Sequence, residues 1–368
     1  MNRLAFYISN HGFGHAARNI PIIESLLEQN DNLHIEIKTG DNLIDFMRQS
    51  LVDYDLRIVY HPMNTDLGLI LKPGTMEVDR EGLLREVKKF ISTWAVLIEQ
   101  EREWLLENKI DLVVSDIVPW IFISARSAAV RSIFISNFTW VEIYKELFEE
   151  ELYQEYQRCY QEADLALLYP LAGGIKGYFK VTKEVGLSCR SFNAGKIQRI
   201  KEKYHMPIVF VSVGRSVDLE SEIDLGELPY QFIFTEGIKL IGRNTELLPI
   251  DTDNTQDYIK AADYIMTKAG WGTVAEVICA QKPMLVLRRD EVVEDRVTLR
   301  NLVDLQIALP IATEELNASR IAELLGQLII KNVNYRDLSR RYSHCSSEIA
   351  EHLLDYLHKG ALESGEEQ

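Results

Sequence analysis

Short apolar runs alternate with longer segments of helical period along both halves of this 368-residue chain. Apolar positions recur at helical spacing most clearly over Arg18–Gln29 and Glu81–Glu107. The runs that predict buried strands are Leu4–Ser9, His34–Thr39, Asp111–Ser115, Ser132–Ser136, Ile208–Val213, Gln231–Thr235, Ala262–Met266 and Met284–Leu287. Strands joined by helices in this way predict parallel sheets that are covered on both faces.

A basic, polar segment near residues 190–206 separates the two series of predicted strands. The length also favours two domains, at roughly 100–200 residues each. We therefore predict an α/β protein with two doubly wound, Rossmann-like domains, residues 1–195 and 196–368. The pattern over 335–358 predicts a C-terminal helix that packs back on the first domain, and Pro21 is expected in the first turn of the helix that begins at Arg18.

Composition and charge narrow the classes of function. Apolar residues make up 46% of the chain and charged residues 26%, as in ordinary globular proteins. The 40 Lys+Arg and 56 Asp+Glu give a net charge of −16, which argues against nonspecific binding to nucleic acid or to an anionic membrane. Any phosphate-bearing ligand must therefore be held by a local site.

The four cysteines are scattered and lack metal-ligand spacing, so neither a disulfide framework nor a zinc site is expected. The apolar stretch at the start is too short for a signal peptide, and no run of about 18 apolar residues predicts a membrane span. A cytoplasmic protein with reduced thiols is the expectation.

The first candidate site is the sequence HGFGHAAR at residues 11–18, between the first predicted strand and helix. Gly12 and Gly14 permit a tight turn and a close approach by a ligand, and the helix N-terminus favours an anion. The motif also fits the dinucleotide fingerprint, with Glu36 near the distance of a ribose-binding acid. His15 is placed to act as a general base, whereas the alternative makes both His11 and His15 loop or capping residues.

Two further turns follow predicted strands. Asp116 closes a strand at the same carboxyl edge as His15, where its carboxylate can accept an imidazole N–H and fix the tautomer. Alternatively, Asp116 is a solvent-facing strand end or the N-cap of the next helix. Gly214, Arg215 and Ser216 form the first strand-to-helix turn of the second domain, which suits either a diphosphate or an ordinary turn.

The last candidate site is the segment KAGWGTVAE at residues 268–276, which also follows a predicted strand. Its candidate ligand-binding residues are Lys268, Gly270, Trp271, Gly272, Thr273 and Glu276. The two glycines open a loop, Thr273 can cap the next helix, and that helix N-terminus can take a diphosphate without a metal. Trp271 offers a flat wall, and Glu276 can accept two ribose hydroxyls. Taken alone, the Gly-x-Gly sequence is also compatible with simple helix capping.

Together these motifs resemble a known group of enzymes. Gly14 and His15, combined with the GWGT sequence at 270–273, Glu276 and Pro283, resemble the GT-B glycosyltransferases that use nucleotide-sugar donors. The likeness extends to the UDP-glycosyltransferases and to the bacterial peptidoglycan N-acetylglucosaminyltransferase of glycosyltransferase family 28. The motif at residues 11–18 and the sequence NFTW at 137–140, followed by Ile143 and Tyr144, are more similar to the glycosyltransferase-like half of the plant L-arabinokinases.

The resemblance implies a cleft between an acceptor-binding first domain and a donor-binding second domain. It makes His15 the base for the acceptor hydroxyl, Asp116 its partner, the 270–273 loop the diphosphate site and Glu276 the ribose ligand. Lys268 replaces the histidine that opens the family's signature. The Asp-Gln pair that closes this signature has no clean counterpart, although Glu294 and Asp295 lie nearby.

The resemblance, together with these residues, implies an inverting, metal-independent glycosyltransferase that uses a nucleotide diphospho-sugar, with UDP the favoured nucleotide. Its expected partners are that small-molecule donor and an acceptor, with no bound cofactor, no metal and no nucleic acid. Two alternatives stay open: a noncatalytic sugar-nucleotide-binding protein on the same scaffold, and an NAD(P)-dependent oxidoreductase built on the first glycine-rich turn.

Overall fold

The computed structural model of the chain describes residues 2–214, 219, 221–330, 333 and 335–363. Within these residues the helices and strands alternate through most of the chain. The strands are β1 (Asn2–Ile8), β2 (Leu33–Thr39), β3 (Ile58–Pro62), β4 (Leu112–Asp116), β5 (Arg131–Ser136), β6 (Leu165–Leu168), β7 (Thr182–Glu184), β8 (Ile208–Ser212), β9 (Glu222–Asp224), β10 (Gln231–Phe234), β11 (Lys239–Ile241), β12 (Thr245–Leu247), β13 (Tyr264–Lys268), β14 (Met284–Leu287) and β15 (Ala308–Ile311). The helices are α1 (Phe13–Gln29), α2 (Asp41–Ser50), α3 (Arg80–Glu107), α4 (Ile121–Ser127), α5 (Trp140–Leu147), α6 (Glu150–Tyr160), α7 (Ala194–Lys203), α8 (Thr255–Ala261), α9 (Trp271–Ala280), α10 (Val293–Asp304), α11 (Ala318–Ile330), α12 (Tyr335–Arg341) and α13 (Ser346–Glu363).

Two parallel sheets carry the fold. The first sheet has the order β3-β2-β1-β4-β5-β6-β7 and the second has the order β12-β10-β8-β13-β14-β15. Strands β9 and β11 form a small separate parallel pair. This confirms the predicted α/β class with two doubly wound units, whereas the exact boundary at residues 195/196 stays a prediction.

In each sheet the strand order reverses beside the strand that comes first in the chain, β1 or β8, which places the turns that follow neighbouring strands next to one another. Strand β1 pairs with β2 on one side and with β4 on the other, and Ile8 is in register with Asp116. Strand β8 likewise lies between β10 and β13, with Ser212 in register with Thr267. The turns after β1 and β4, and those after β8 and β13, therefore open at the same edges.

Two of the helix predictions are wrong in position. Helix α1 begins at Phe13, directly after an extended Gly12, so Pro21 lies in its interior and cannot donate to the Ala17 carbonyl. The predicted helix over 335–358 is divided into α12 and α13. Between them the chain runs beside Leu187, whose N–H donates to the Ser343 carbonyl at 2.9 Å, and these strand-like bonds replace helical ones.

Helix α13 packs against α1, on the first sheet's side of the molecule. The Ser346 hydroxyl lies 3.1 Å from that of Ser188, and the Arg131 guanidinium donates to the Leu357 carbonyl at 2.8 Å. The C-terminal part of the chain therefore buttresses the helix that carries His15.

Candidate functional site

The two halves of the molecule touch where two helix N-termini meet. A Cβ atom on Gly272, at the start of α9, would lie only 3.0 Å from the Cα and carbonyl oxygen of Gly14 in α1. A Cβ on Gly14 would meet nothing closer than 4.0 Å. The absence of a side chain at residue 272 therefore allows the close approach of the two helices.

An open cleft with a cavity volume of about 290 Å³ lies around this contact. The predicted site residues that line it are His11, Gly12, Gly14, His15, Gly214, Lys268, Gly270, Trp271, Gly272, Thr273 and Glu276. Asp116 is buried behind His15, whereas Arg215 and Ser216 lie outside the described residues. The fold thus brings motifs separated by more than 250 residues to one place.

His15 and Asp116 form a buried pair on the first half. The Nδ1 atom of His15 lies 3.0 Å from Oδ1 of Asp116, and His15 is only 8% exposed. The pair forms because β1 and β4 are neighbours, and because His15 lies in the first turn of α1 above their carboxyl ends. An imidazole held in this way by a carboxylate can exchange a proton through its other nitrogen.

Arg18 holds the other side of the Asp116 carboxylate. Its Nε donates to Oδ2 at 2.7 Å, and its Nη2 donates to Oδ1. The Asn19 amide adds a bond to Oδ2 at 2.6 Å. Burial alone would raise the pKa of Asp116, but its electrostatic interactions and hydrogen bonds with Arg18 and His15 lower it to about 2. Asp116 therefore remains a carboxylate at neutral pH.

The backbone directly after Asp116 adopts a conformation that branched residues rarely take. Ile117 is fully buried and has a φ of 70°. Its carbonyl accepts a hydrogen bond of 2.7 Å from the Tyr160 hydroxyl, which fixes the turn. This strained backbone conformation lies directly after the end of β4, where Asp116 is placed at the edge of the sheet.

A hydrogen-bonded chain links this pair to the second half of the molecule. The Nη1 atom of Arg18 donates to Oδ1 of Asn137 at 2.8 Å. The Asn137 amide in turn donates to Oε1 of Glu294 at 3.0 Å. Burial and the neighbouring Asp295 raise the pKa of Glu294, against the effect of the Asn137 hydrogen bond. The first turn of α10 therefore reaches across the cleft to the His15 side.

His11 lies deeper than a free loop residue would. Its ring packs over Gly68, where a Cβ would collide with it, and its centroid lies 5.9 Å from the Trp140 ring. Burial lowers its pKa well below the ordinary histidine value, and electrostatic interactions with Lys268, His15 and Arg289 lower it further. His11 is thus a neutral wall of the cleft at physiological pH.

Lys268 ends β13 and runs along the edge of the second sheet. Its Cε lies 3.1 Å from the position of a Cβ on Gly214, which has a φ of +79°. Burial lowers the pKa of Lys268 to about 8, assisted by the charge of Arg289 and opposed by Asp295 and Glu294. The lysine therefore supplies a cation whose charge is lost under mildly alkaline conditions.

The N-cap of α9 is Gly270, so the prediction that Thr273 caps this helix is wrong. Thr273 instead lies in the first turn, beside the cleft. Trp271 is not an open wall, since it is only 2% exposed. Its indole N–H donates to the Pro170 carbonyl at 2.9 Å and its ring stacks on Tyr169 at 4.3 Å between centroids. Trp271 mainly joins the two halves.

Glu276 lines the cleft one turn further along α9, and it already has a partner. The Nε of Arg190 donates to Oε1 of Glu276 at 2.7 Å, and the Nη2 of Arg190 lies 3.3 Å from Oε2. Both side chains are almost fully buried. Arg190 comes from the segment that joins the two sheets.

The C-terminal half of the chain matches a known family by sequence. Residues 198–353 match the sequence model of the glycosyltransferase family 28 C-terminal domain. L-arabinokinase from Arabidopsis thaliana is 27% identical to this chain over 316 residues, which are 82% of this chain. The matched residues make up only 29% of the arabinokinase, so the chain spans less than a third of the length of this relative.

Solved structures extend the likeness to both halves. UGT89C1 of Arabidopsis thaliana in complex with UDP-L-rhamnose superposes with a TM-score of 0.65 at 12% identity, covering 96% of this chain and 98% of that one. CalG4, the calicheamicin glycosyltransferase, gives a TM-score of 0.64 at 14% identity and covers 98% and 100%. SnogD from Streptomyces nogalater gives 0.61 at 15% identity and covers 97% and 100%. The chain has a GT-B, glycosyltransferase-like fold.

Several residues of this GT-B cleft escape sequence reasoning. Arg18 has a signal, because it lies one helical turn after His15 and so shares its face. Asn137 belongs to the NFTW sequence and Glu294 lies near the signature segment, but their contact joins residues 157 positions apart. Arg190 lies in a polar linker, where nothing in the spacing indicates a partner for Glu276.

Glu36, the acid required by the dinucleotide interpretation, does not line the GT-B cleft. It lies within β2 and pairs with His61 at 2.7 Å and with Arg3 at 3.5 Å. Across the described ranges there is no cluster of three His, Cys, Asp or Glu side chains arranged to hold a metal. Nor does the described part of the chain contain a helix long and apolar enough to cross a membrane.

Proposed function

We propose that this protein transfers a sugar from a nucleotide diphospho-sugar, with UDP as the favoured nucleotide, to an acceptor hydroxyl with inversion at the anomeric carbon. The observation that carries the proposal is the placement of His15, backed by Asp116, across one cleft from Lys268 and the N-terminus of α9. A base and an anion site on opposite walls are what a single displacement at a sugar carbon requires.

In the proposed reaction the acceptor oxygen forms the new bond to the anomeric carbon as the bond to the diphosphate breaks. The acceptor proton passes to Nε2 of His15, since Nδ1 faces Asp116. Asp116 accepts the Nδ1–H and stabilises the imidazolium that forms. A histidine base of this kind contributes on the order of 10²–10⁴-fold to the rate.

The departing nucleoside diphosphate takes away the electron pair and carries negative charge. The first turn of α9 presents backbone N–H groups and a positive dipole end to the cleft, and Lys268 adds a full charge beside them. Preorganised donors of this type contribute several kcal/mol to a charged transition state. The proposal therefore assigns the role of stabilising the leaving group to this chain rather than to a metal or cofactor.

The first experiment is a thermal-shift screen of UDP, GDP and ADP, their sugar derivatives, and NAD. We expect stabilisation by one nucleoside diphosphate and its sugar derivatives. Stabilisation by NAD alone would instead favour an oxidoreductase and overturn the proposal.

The second experiment measures sugar transfer or donor hydrolysis with His15→Ala. We expect turnover to fall by roughly 10²–10⁴-fold while donor affinity stays unchanged, because His15 acts on the acceptor proton. His34→Ala is the control, since His34 lies in β2 and does not line the cleft. Unchanged turnover in His15→Ala would show that the base is assigned incorrectly.

One observation favours a noncatalytic sugar-nucleotide-binding protein as the second candidate. The Nη2 atom of Arg18 lies 2.9 Å from Nδ1 of His15. If Arg18 donates to Nδ1, the proton of the neutral ring is on Nε2, which then cannot act as a base. Nucleotide-sugar binding without transfer or hydrolysis over a broad acceptor panel would support this candidate.

A further inference from the structure

Arg190 lies at the side of the cleft where the linker between β7 and α7, the loop before α8 and helix α9 meet. It belongs to the linker between β7 and α7, yet its side chain is buried and lines the cleft. The linker is docked on α8, because the Asn193 N–H donates to Oδ1 of Asp257 at 2.7 Å. This anchoring holds the Arg190 backbone against the second half of the molecule.

The Arg190 guanidinium binds Glu276 through two of its nitrogens, at 2.7 Å and 3.3 Å. A carboxylate has about four acceptor positions, so two remain when an arginine fork takes the others. The same fork fixes the plane of the carboxylate. Glu276 can therefore remain paired with Arg190 and still accept two hydroxyl groups from the cleft.

The remaining donors of Arg190 hold the loop beside Glu276. Its Nη1 donates to the Asp253 carbonyl at 2.6 Å, and its Nη2 donates to the Thr255 hydroxyl at 2.9 Å. This loop lines the cleft through Pro249 and Thr252. A single guanidinium thus sets the position of the carboxylate and of the wall next to it.

We propose that Arg190 is a positioning residue for ribose recognition, which orients Glu276 so that its outer lone pairs accept the 2′- and 3′-hydroxyls of a bound ribonucleotide. The inference rests on the proposed function, since Glu276 must face a nucleoside diphosphate. It predicts that Arg190 affects discrimination between ribose and deoxyribose, whereas a residue that only clamps the two halves together would affect all nucleotides alike.

The test measures dissociation constants by titration calorimetry for UDP against 2′-deoxy-UDP, and for the corresponding guanosine and adenosine pairs. Wild-type protein is expected to prefer the ribonucleotide by roughly tenfold or more, because a hydroxyl bound to a carboxylate makes a strong hydrogen bond. In Arg190→Gln we expect this preference to fall to about threefold or less. Arg190→Lys, which keeps the charge but loses the fork, is expected to fall between them.

Glu276→Gln should lose the same ribose preference. The double variant, Glu276→Gln with Arg190→Gln, should lose little more, because both changes remove the same interaction between Glu276 and the ribose hydroxyls. The matched control is Arg296→Gln. The Nη2 of Arg296 donates to both carboxylate oxygens of Glu146 across the two halves, at 2.6 Å and 2.7 Å, but Arg296 does not line the cleft. It should keep the wild-type preference. Melting temperatures of all variants establish whether they are folded. If Arg190→Gln does not fold, the ribose preference of Arg190→Lys provides the test instead.

Three results would overturn the inference alone. The first is a folded Arg190→Gln protein that binds both nucleotides more weakly but keeps the full ribose preference. The second is the same loss of preference in Arg296→Gln. The third is a wild-type protein that binds nucleoside diphosphates without any ribose preference, which would leave the proposed function intact. Wild-type protein that binds none of the nucleotides would overturn the proposed function, and this inference with it.

Discussion

Replacement of Asp116 by asparagine tests the electrostatic core of the site without any knowledge of the ligand. Asp116 is 1% exposed, and its pKa of about 2 lies below the ordinary value of 3.8. A depressed carboxylate pKa stabilises the folded protein above the ordinary pKa, and that stability is lost as the pH falls through the folded pKa. The difference corresponds to about 2–3 kcal/mol at neutral pH.

The Asp116→Asn change also removes the anion that Arg18 faces with two of its nitrogens. A buried ion that loses its partner costs roughly 3–5 kcal/mol, because the remaining charge stays away from water. We therefore expect Asp116→Asn to be less stable than wild type by that amount at pH 7. The gap should narrow by about 2 kcal/mol between pH 5 and pH 2, since only wild type loses the carboxylate.

The assay is urea unfolding at a series of pH values from 7 to 2, followed by tryptophan fluorescence. Asp45→Asn is the control, because the Asp45 side chain is 94% exposed and lies 3.9 Å from its Arg48 partner. It should follow wild type at every pH. A stability gap between wild type and Asp116→Asn that is absent at pH 7, or that stays constant down to pH 2, would refute the electrostatic account of Asp116.

Two further predictions concern the second half of the cleft. Because burial lowers the pKa of Lys268 to about 8, the affinity for UDP should fall by about tenfold per pH unit above pH 8. Calorimetry from pH 7 to 9.5 measures this pH dependence, which Lys268→Met should not show. An equal dependence in both proteins would contradict the assignment of Lys268 as the cation that binds the diphosphate. Gly272→Ala should cost about 1–3 kcal/mol in stability, because its Cβ would lie 3.0 Å from Gly14. Gly14→Ala, whose nearest contact would be 4.0 Å, should melt at or above the wild-type temperature.

The part of the site that sequence predicts is the part fixed by strand ends. The end of a buried apolar run marks the carboxyl end of a strand. Once β1 and β4 are recognised as strands, His15 and Asp116 are therefore expected at the carboxyl edge of the sheet. Local geometry is harder to predict. The motif glycines were expected before the helix, whereas α1 begins at Phe13 and carries His15 in its first turn. The residue at which a helix begins depends on one or two capping interactions, and the spacing of apolar residues does not reveal these.

The pairings that were missed all depend on distance in space rather than in sequence. Trp271 packs on Tyr169 of the first half, about a hundred residues earlier, so its burial follows only from the way the halves meet. The break between α12 and α13 likewise results from the extended contact with Leu187. No periodicity within either segment encodes such a contact.

The charge balance around the cleft explains how a chain with a net charge of −16 could hold an anion at the proposed site. Three buried carboxylates near the cleft, Asp116, Glu276 and Asp295, each face an arginine. These arginine pairs are close to neutral as units, so they contribute little net field at the cleft. Lys268, the carboxyl group of Glu294 and the helix N-termini then determine the local potential, although the surface as a whole repels anions. The affinity for a diphosphate should therefore follow the protonation of Lys268 much more closely than the net charge of the protein.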